Sequence, residues 1–199
     1  MSNVAGRLTS ILMNIVLLKI GGAMAVSVYG VLVYVGDTLQ QLLYGTCDGM
    51  QPAIGYNWGA KNIGRVKSLI QCCVAACAVI SIGGTVLMLV FPEKIVSLFM
   101  QKNETELIKM CAYALPLYSF TFLTRWFGFA VQNFLVALEV PLPATILSVS
   151  NALIIPIVLL PVLWPLNLNG IWLNTPITSL LVSVLALIFF IRLRKKMIE

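Results

Sequence analysis

The sequence predicts an all-α membrane protein, a polytopic bundle of about six transmembrane helices, from its composition and from the lengths of its apolar runs. Of the 199 residues, 60% are hydrophobic and only 10% are charged, and the mean hydropathy is +0.97. A soluble domain carries about 25% charged residues, so apolar surface on this scale requires lipid as its solvent. The apolar residues form six runs of about the 20 residues that a helix needs to cross the hydrocarbon layer.

The six predicted spans follow one another with short connections, which indicates a single bundle over residues 1–199. A mixed-charge connector, Pro92–Glu106, separates the third span from the fourth, and Pro156 and Pro161 are expected to bend the fifth. The short first span predicts that residues upstream of Met1 are missing. The spans are Val4–Ile20, about Ala23 to at least Cys47, Val66–Phe91, Leu107–Val136, Leu142–Trp164 and Ile171–Ile191.

The basic residues cluster at the ends of apolar segments, which is the pattern of the positive-inside rule and not that of a nucleic-acid-binding surface. Six spans place both termini on one side, where eight Lys and Arg residues fall against four on the other side. The eight are Arg7, Lys61, Arg65, Lys67, Arg192, Arg194, Lys195 and Lys196. We therefore expect an integral protein of the plasma or inner membrane with both termini in the cytoplasm. Membrane lipid is then a partner, and nucleic acid is not.

The residue types exclude most enzyme chemistry. There is no histidine and no GxxxxGK[ST] phosphate-binding loop. The seven acidic residues are scattered, and Asp37 and Asp48, which share a helix, lie roughly 16 Å apart along its axis, too far to hold one metal ion. No CxxC pair occurs, so Cys47, Cys72, Cys73, Cys77 and Cys111 are interpreted as small apolar packing residues. The sequence thus predicts a protein that is not an enzyme, with no metal and no cofactor.

One helix face in the second span is unusually polar. Its members fall within an arc of about 100°: Asp37, Gln40, Gln41, Tyr44 and Asp48. Arg125 is also well inside a span, where a charge costs roughly 2.5–3.5 kcal/mol. Either these residues line a hydrated, substrate-facing cavity, or Asp37 and Arg125 form a bridge that only ties two helices. Three amides either face the same space or form interhelical hydrogen bonds: Gln132, Asn133 and Asn151.

The stretch QPAIGYNWGAKN, followed by an Arg-Val pair, resembles a motif of the multidrug and toxic compound extrusion (MATE) transporters. The matching residues are Gln51, Pro52, Gly55, Tyr56, Asn57, Gly59, Ala60, Lys61 and Asn62, then Arg65 and Val66. The segments GGAMAVSVYG, QNFLVAL and LNGIWLNTPIT also resemble parts of the family, in the same order. The resemblance implies that the polar helix continues through Pro52 towards Gly59 and that the motif has a structural role.

The resemblance implies half of a twelve-helix fold. Family members have two six-helix lobes, and residues 1–199 match the second lobe only, so the first lobe is absent here. Members export small cationic or amphipathic drugs and metabolites in exchange for H⁺ or Na⁺, without a bound cofactor. The chain would then supply one wall of the central cleft, and a complementary N-terminal lobe, from a separate chain or from lost sequence, would be its partner. Some sodium-coupled members have an acidic residue at or near the position of Arg125, so no cation site of the family is assigned to this chain.

Two other functions are consistent with the sequence. In the first alternative, the chain is an inactive truncated gene product or a membrane scaffold. In the second, it is a lipid-linked-sugar flippase, which has a related architecture and needs several arginines and lysines in its cavity to bind phosphate groups. Only Arg125 meets that requirement.

Overall fold

The computed structural model describes residues 2–100 and 105–196, and within these ranges the elements are helical. The elements are α1 (Ser2–Gly59), α2 (Ile63–Val90), α3 (Pro92–Phe99), α4 (Thr105–Ala137), α5 (Pro141–Val149), a π-helical segment (Ser150–Ile154), α6 (Ile155–Leu163), a 3₁₀ turn (Trp164–Leu166) and α7 (Asn167–Lys196).

Four continuous helical stretches are long and apolar enough to cross a membrane, where the sequence predicted six spans. They are Leu8–Gly59, Ile63–Val90, Thr105–Ala137 and Pro141–Leu193. The all-α class is therefore confirmed, while the count of six is not. The difference arises because two of the four stretches, of 52 and 53 residues, are interrupted internally without losing their helical character on either side.

Gly22 interrupts α1. Its backbone has φ 66° and ψ −165°, in the left-handed region that glycine enters without steric cost. Gly6 and Asp48 line the same cleft, although a straight helix would place them about 63 Å apart. Leu17 and Ala25 pack in one buried cluster. The chain therefore reverses direction at Gly22, and residues 2–21 lie beside residues 23–59.

The family-like motif shapes the connection between α1 and α2. The helix continues through Pro52 to Gly59, as the resemblance implied. Lys61 adopts a left-handed conformation with φ 57°, and the Asn62 N–H donates to the Asn57 carbonyl at 2.9 Å, which closes a Schellman cap. The Asn62 side chain then accepts from the Arg65 N–H at 3.2 Å and caps the start of α2.

The predicted connector Pro92–Glu106 contains a helix. Pro92 opens α3, which suits proline because the first helical residues need no N–H donor. Residues 101–104 of this connector lie outside the described ranges. A tight turn after α4 occurs where it was predicted, at Glu139, whose φ of 59° is left-handed.

The predicted fifth span, in which Pro156 and Pro161 were expected to bend the helix, contains a π-helical segment one turn before Pro156. This segment, Ser150–Ile154, ends two residues before Pro156, whose missing N–H leaves the Ala152 carbonyl without its usual helical donor. Thr9 Oγ1 donates to that carbonyl at 2.5 Å. After the 3₁₀ turn, the Asn174 side chain donates to the Pro156 carbonyl at 3.1 Å, so the chain has also reversed direction here.

The long helix α4 forms the centre of the bundle and contacts α1, α2, α3, α5 and α7. Phe122 and Phe134 of α4 are among the largest fully buried side chains. Four of the five cysteines are buried, as their interpretation as packing residues requires. Cys72 is exposed, so that interpretation is wrong for Cys72.

Candidate binding cleft

A cleft of about 550 Å³ lies between the two halves of α1 and the inner faces of α4 and α7, with the π-helical segment at one side. Polar and aromatic groups contribute most of its lining. The side chains that bear on function are Tyr29, Asp37, Tyr44, Asp48, Tyr118, Arg125, Phe129, Gln132, Asn133, Asn151, Asn174, Thr175, Thr178 and Ser179. Such a polar space inside an apolar bundle is typical of a hydrated pathway in a membrane protein.

The second half of α1 supplies both carboxylates of the cleft. Asp37, Tyr44 and Asp48 line it, and both aspartates are exposed. Tyr44 follows Asp37 by seven positions and Asp48 follows Tyr44 by four, so the three side chains share one helix face. The two carboxylates therefore lie at different depths in the cleft, roughly 16 Å apart along the helix axis.

Arg125 faces this helix from α4 and is half-buried. Within residues 2–100 and 105–196, the ion pair that forms is the exposed Lys109–Glu106 pair at 3.5 Å, and Asp37 and Arg125 form none. The alternative in which these two charges form a bridge between helices is therefore wrong. A smaller space of about 30 Å³ adjoins Arg125 and is bordered by polar groups, among them Gln132 and Ser183.

The two glutamines of the predicted polar face do not line the cleft. Gln40 is 8% exposed, and its Nε2 donates to the Tyr44 hydroxyl. Gln41 is exposed but lies outside the lining residues. The Tyr44 ring packs against Phe129 with 4.3 Å between ring centroids. Gln40 therefore orients the Tyr44 ring, and the polar arc of the sequence is wider than the part that faces the cleft.

A line of hydroxyl groups joins α7 to α4 and is not among the residues predicted from the sequence. Ser183 Oγ donates to the Thr124 carbonyl at 2.6 Å, and Ser179 Oγ lies 3.1 Å from Thr124 Oγ1. Nearer the π-helical segment, Thr178 Oγ1 donates to Asn174 Oδ1 at 3.4 Å. Thr175, Thr178, Ser179 and Ser183 recur in α7 at the spacing of one helix face. The helical periodicity that identified Asp37 and its neighbours could therefore have identified this face as well.

Three amides were expected either to face the cleft or to form interhelical hydrogen bonds, and all three lie in the cleft. Gln132, Asn133 and Asn151 all line it. Asn133 Nδ2 also donates to the Phe129 carbonyl of its own helix at 3.2 Å. Tyr29 and Tyr118 line the cleft as well but were missed, because single tyrosines within apolar runs cannot be distinguished from packing residues by sequence.

The motif residues Gln51 to Asn62 lie at the end of α1 and not in the cleft lining. Asn57 Nδ2 donates to the Ala53 carbonyl at 2.8 Å within the same helix. At Gly55 an added Cβ would lie 3.5 Å from the Ala137 carbonyl, an ordinary packing distance. Asn57 and Asn62 of the motif therefore shape the connection from α1 to α2. The structural role of the motif as a whole stays a prediction.

Comparison with known proteins gives the fold and the family. The MatE family profile matches residues 1–162. The multidrug export protein MepA of Staphylococcus aureus (strain MSSA476) is 25% identical over 193 residues, covering 95% of this chain and 41% of MepA. MepA of Staphylococcus saprophyticus subsp. saprophyticus is 23% identical over the same length, with the same coverage. The chain thus spans less than half the length of these relatives.

Solved structures show the same architecture. An outward-facing multidrug resistance MATE family transporter of the MOP superfamily superimposes with a TM-score of 0.91 at 13% identity, covering 100% of this chain and 45% of that one. A MOP superfamily transporter from Pyrococcus furiosus gives a TM-score of 0.90 at 14% identity, with the same coverage. From the profile match over most of its length, the chain belongs to the MatE family, whose members are integral membrane transporters and not enzymes.

Proposed function

We propose that this chain is one lobe of a secondary-active exporter of small cationic or amphipathic compounds and supplies one wall of the central cleft. The observation that supports this most strongly is the cleft of about 550 Å³, in which Asp37 and Asp48 are exposed and have no ion-pair partner within the described ranges. Two exposed carboxylates inside an apolar bundle favour a positively charged occupant.

The aromatic lining supports the same substrate class. Tyr29, Tyr44, Tyr118 and Phe129 all border the cleft. Aromatic faces attract organic cations, with a gain of about 0.5–2 kcal/mol depending on how dry the site is. Flat, apolar bodies with a positive charge would therefore bind between these rings and the carboxylates. Arg125, the one basic residue in the lining, would repel a cation near it and so direct the positive end of the substrate towards α1.

The coupling ion is proposed to be H⁺ or Na⁺. A carboxylate can bind either one, and Asp37 and Asp48 are the acids of this cleft. Exchange requires that ion and substrate compete for the same charge while two lobes alternately open the cleft to each side. The partner in this scheme is a complementary N-terminal lobe that closes the other side of the cleft.

We also propose six membrane crossings with both termini in the cytoplasm of a plasma or inner membrane. The reversals at Gly22 and at the 3₁₀ turn Trp164–Leu166 divide the two longest helical stretches into antiparallel pairs, which supports six crossings. Lys61, Arg65 and Lys67 lie at the connection from α1 to α2, on the side assigned to the cytoplasm by the excess of basic residues.

The experiment is efflux of ethidium, a flat cationic dye, from cells that lack their own exporters. The chain would be expressed alone and together with the first six-helix lobe of a MatE relative. We expect the pair to accelerate dye loss and the single chain to leave it unchanged, since one wall does not enclose a cleft. Asp37→Asn should lower the rate at least tenfold in the pair.

Gln41→Ala is the matched control, because Gln41 lies one helical turn from Asp37 and outside the cleft lining. It should leave the efflux rate within about twofold of the unmodified pair. Efflux by the chain alone would contradict the one-wall proposal. An equal loss for Asp37→Asn and Gln41→Ala, at equal protein levels, would contradict the role of Asp37.

A further inference from the structure

Three cysteine thiols meet between α1 and α2, away from the cleft. Cys47 Sγ lies 3.5 Å from Cys77 Sγ and 3.9 Å from Cys73 Sγ, and all three sulfur atoms lie within 4.8 Å of one another. Each side chain is at most 1% exposed. None of the three lines the cleft, so the proposed transport does not use them.

The arrangement follows from helix geometry. Cys73 and Cys77 are four residues apart and therefore share one face of α2, while Cys47 approaches that face from α1. Cys72 lies on a different face and is exposed. The sequence alone indicates only packing residues at these positions, because no spacing rule relates Cys47 to residues on another helix.

The three sulfur atoms have the separation of ligands around one small, three-coordinate centre. Three bonds of about 2.3 Å, the length typical of thiolate bonds to zinc, place the sulfurs about 4.0 Å apart if planar and about 3.5 Å apart if pyramidal. The separations of Cys47 Sγ from Cys77 Sγ and Cys73 Sγ, 3.5 and 3.9 Å, fall in this range, and the Cys73–Cys77 separation is at most 4.8 Å. Within the described part of the chain, no other Cys, Asp or Glu contributes a fourth ligand atom to the group.

The net charge of the complex decides which metal or metalloid ion fits the three thiolates. Three thiolates around a monovalent ion carry a net charge of −2, and around a divalent ion −1, which is costly in the interior of a membrane bundle. A trivalent centre gives a neutral complex. We propose that Cys47, Cys73 and Cys77 form a binding site for trivalent arsenic, taken up as uncharged arsenous acid.

The reaction is a ligand exchange. Each thiol transfers its proton to one of the three hydroxyl groups of As(OH)₃, three water molecules leave, and three S–As bonds replace three O–As bonds. Arsenic stays trivalent and no electrons are transferred, so no oxidant or reductant is needed. The product joins α1 to α2 covalently, and it should therefore raise the thermal unfolding temperature of the chain.

The test is intact mass spectrometry of the reduced full chain, purified in mild detergent and incubated with arsenite without oxygen. We expect a single adduct with the mass of one arsenic atom less three hydrogens. Cys47→Ser, Cys73→Ser and Cys77→Ser should each lower adduct formation at least tenfold. The matched control Cys72→Ser removes the exposed thiol next to Cys73 and should leave the adduct unchanged.

X-ray absorption at the arsenic edge gives a second readout that does not depend on the variants. Three sulfur neighbours around arsenic in the unmodified chain support the site, even if a serine variant fails to fold. No adduct, fewer than three sulfur neighbours, or an adduct that is lost equally in Cys72→Ser would overturn the proposal. A mass lower by two hydrogens without arsenic would show a disulfide instead and would also overturn it.

Discussion

Replacing Thr9 by valine removes the hydroxyl that donates to the Ala152 carbonyl but keeps the shape of the side chain. Thr9 and Ala152 both line the cleft and their hydrogen bond is only partly buried, so the cost of about 1–3 kcal/mol for a buried acceptor that loses its donor is an upper bound here. Interhelical hydrogen bonds in a membrane protein average about 0.6 kcal/mol, since partners are also available in the unfolded state. The free energy of unfolding should therefore fall by about 1 kcal/mol.

The size of this loss should depend on Pro156. Ala152 needs the Thr9 hydroxyl because Pro156, four residues later, has no N–H to donate. Pro156→Ala restores an N–H at that position. In this background Thr9→Val should cost less than half as much, which corresponds to a coupling energy of about 0.5 kcal/mol or more. The assay is a double-mutant cycle on unfolding in mixed micelles of increasing SDS content.

Thr46→Val is the control for loss of a hydroxyl. Thr46 Oγ1 donates to the Leu42 carbonyl at 2.9 Å within its own helix, and that carbonyl keeps a backbone donor. This substitution should change the free energy of unfolding by less than about 0.5 kcal/mol. A loss from Thr9→Val no larger than that from Thr46→Val, or losses from Thr9→Val and Pro156→Ala that simply add, would contradict the proposed link between Thr9 and Pro156.

Two further comparisons, each of a pair of substitutions, test the packing and the charges of the cleft. A Cβ at Gly36 would lie 2.8 Å from Cε1 of the buried Tyr118, so Gly36→Ala should lower the free energy of unfolding by about 1–3 kcal/mol. Gly45→Ala, with open space around it, should be neutral or stabilising in the same assay, and equal losses at the two positions would contradict this packing. Asp37 and Arg125 line one cleft without forming an ion pair, so the losses in unfolding free energy from Asp37→Asn and Arg125→Gln should add to within about 1 kcal/mol, the coupling typical of hydrated charges. A double variant much more stable than this sum would indicate a direct pair.

Features set by local chemistry could be predicted from the sequence. The apolar runs predicted helices, and the Gly21-Gly22 pair marked the place where α1 reverses. The turn at Glu139 was found because a charged residue and Pro141 separate two apolar runs. The face with Asp37 and Asp48 was found because its period is that of a single helix.

Features that depend on contacts between distant helices could not be predicted. Thr9 and Ala152 are 143 residues apart, so nothing local indicates that one hydroxyl would replace the missing donor of Pro156. The rotation of α1 about its own axis relative to α4 determines which side of the polar arc faces the cleft. This rotation places Gln41 outside the cleft lining. Both results are set by packing between helices, on which sequence periodicity gives no information.

The proposed transport requires the cleft to be a water-filled pathway, and the reactivity of introduced thiols in membranes tests this. Tyr44 lines the cleft, while Val79 is 73% exposed on the outer face of α2. Tyr44 lies 15 residues before the end of α1 at Gly59, and Val79 lies 16 residues after the start of α2 at Ile63, so both are about 23 Å along their helices from the shared connection and their depths match.

Tyr44→Cys and Val79→Cys would each be made in a Cys72→Ser background and treated with a water-soluble maleimide. Maleimides react with the thiolate, which forms only where water reaches the thiol. We expect the thiol at position 44 to react at least tenfold faster than the thiol at position 79. Equal rates at the two positions, or faster reaction at position 79, would contradict a water-filled pathway.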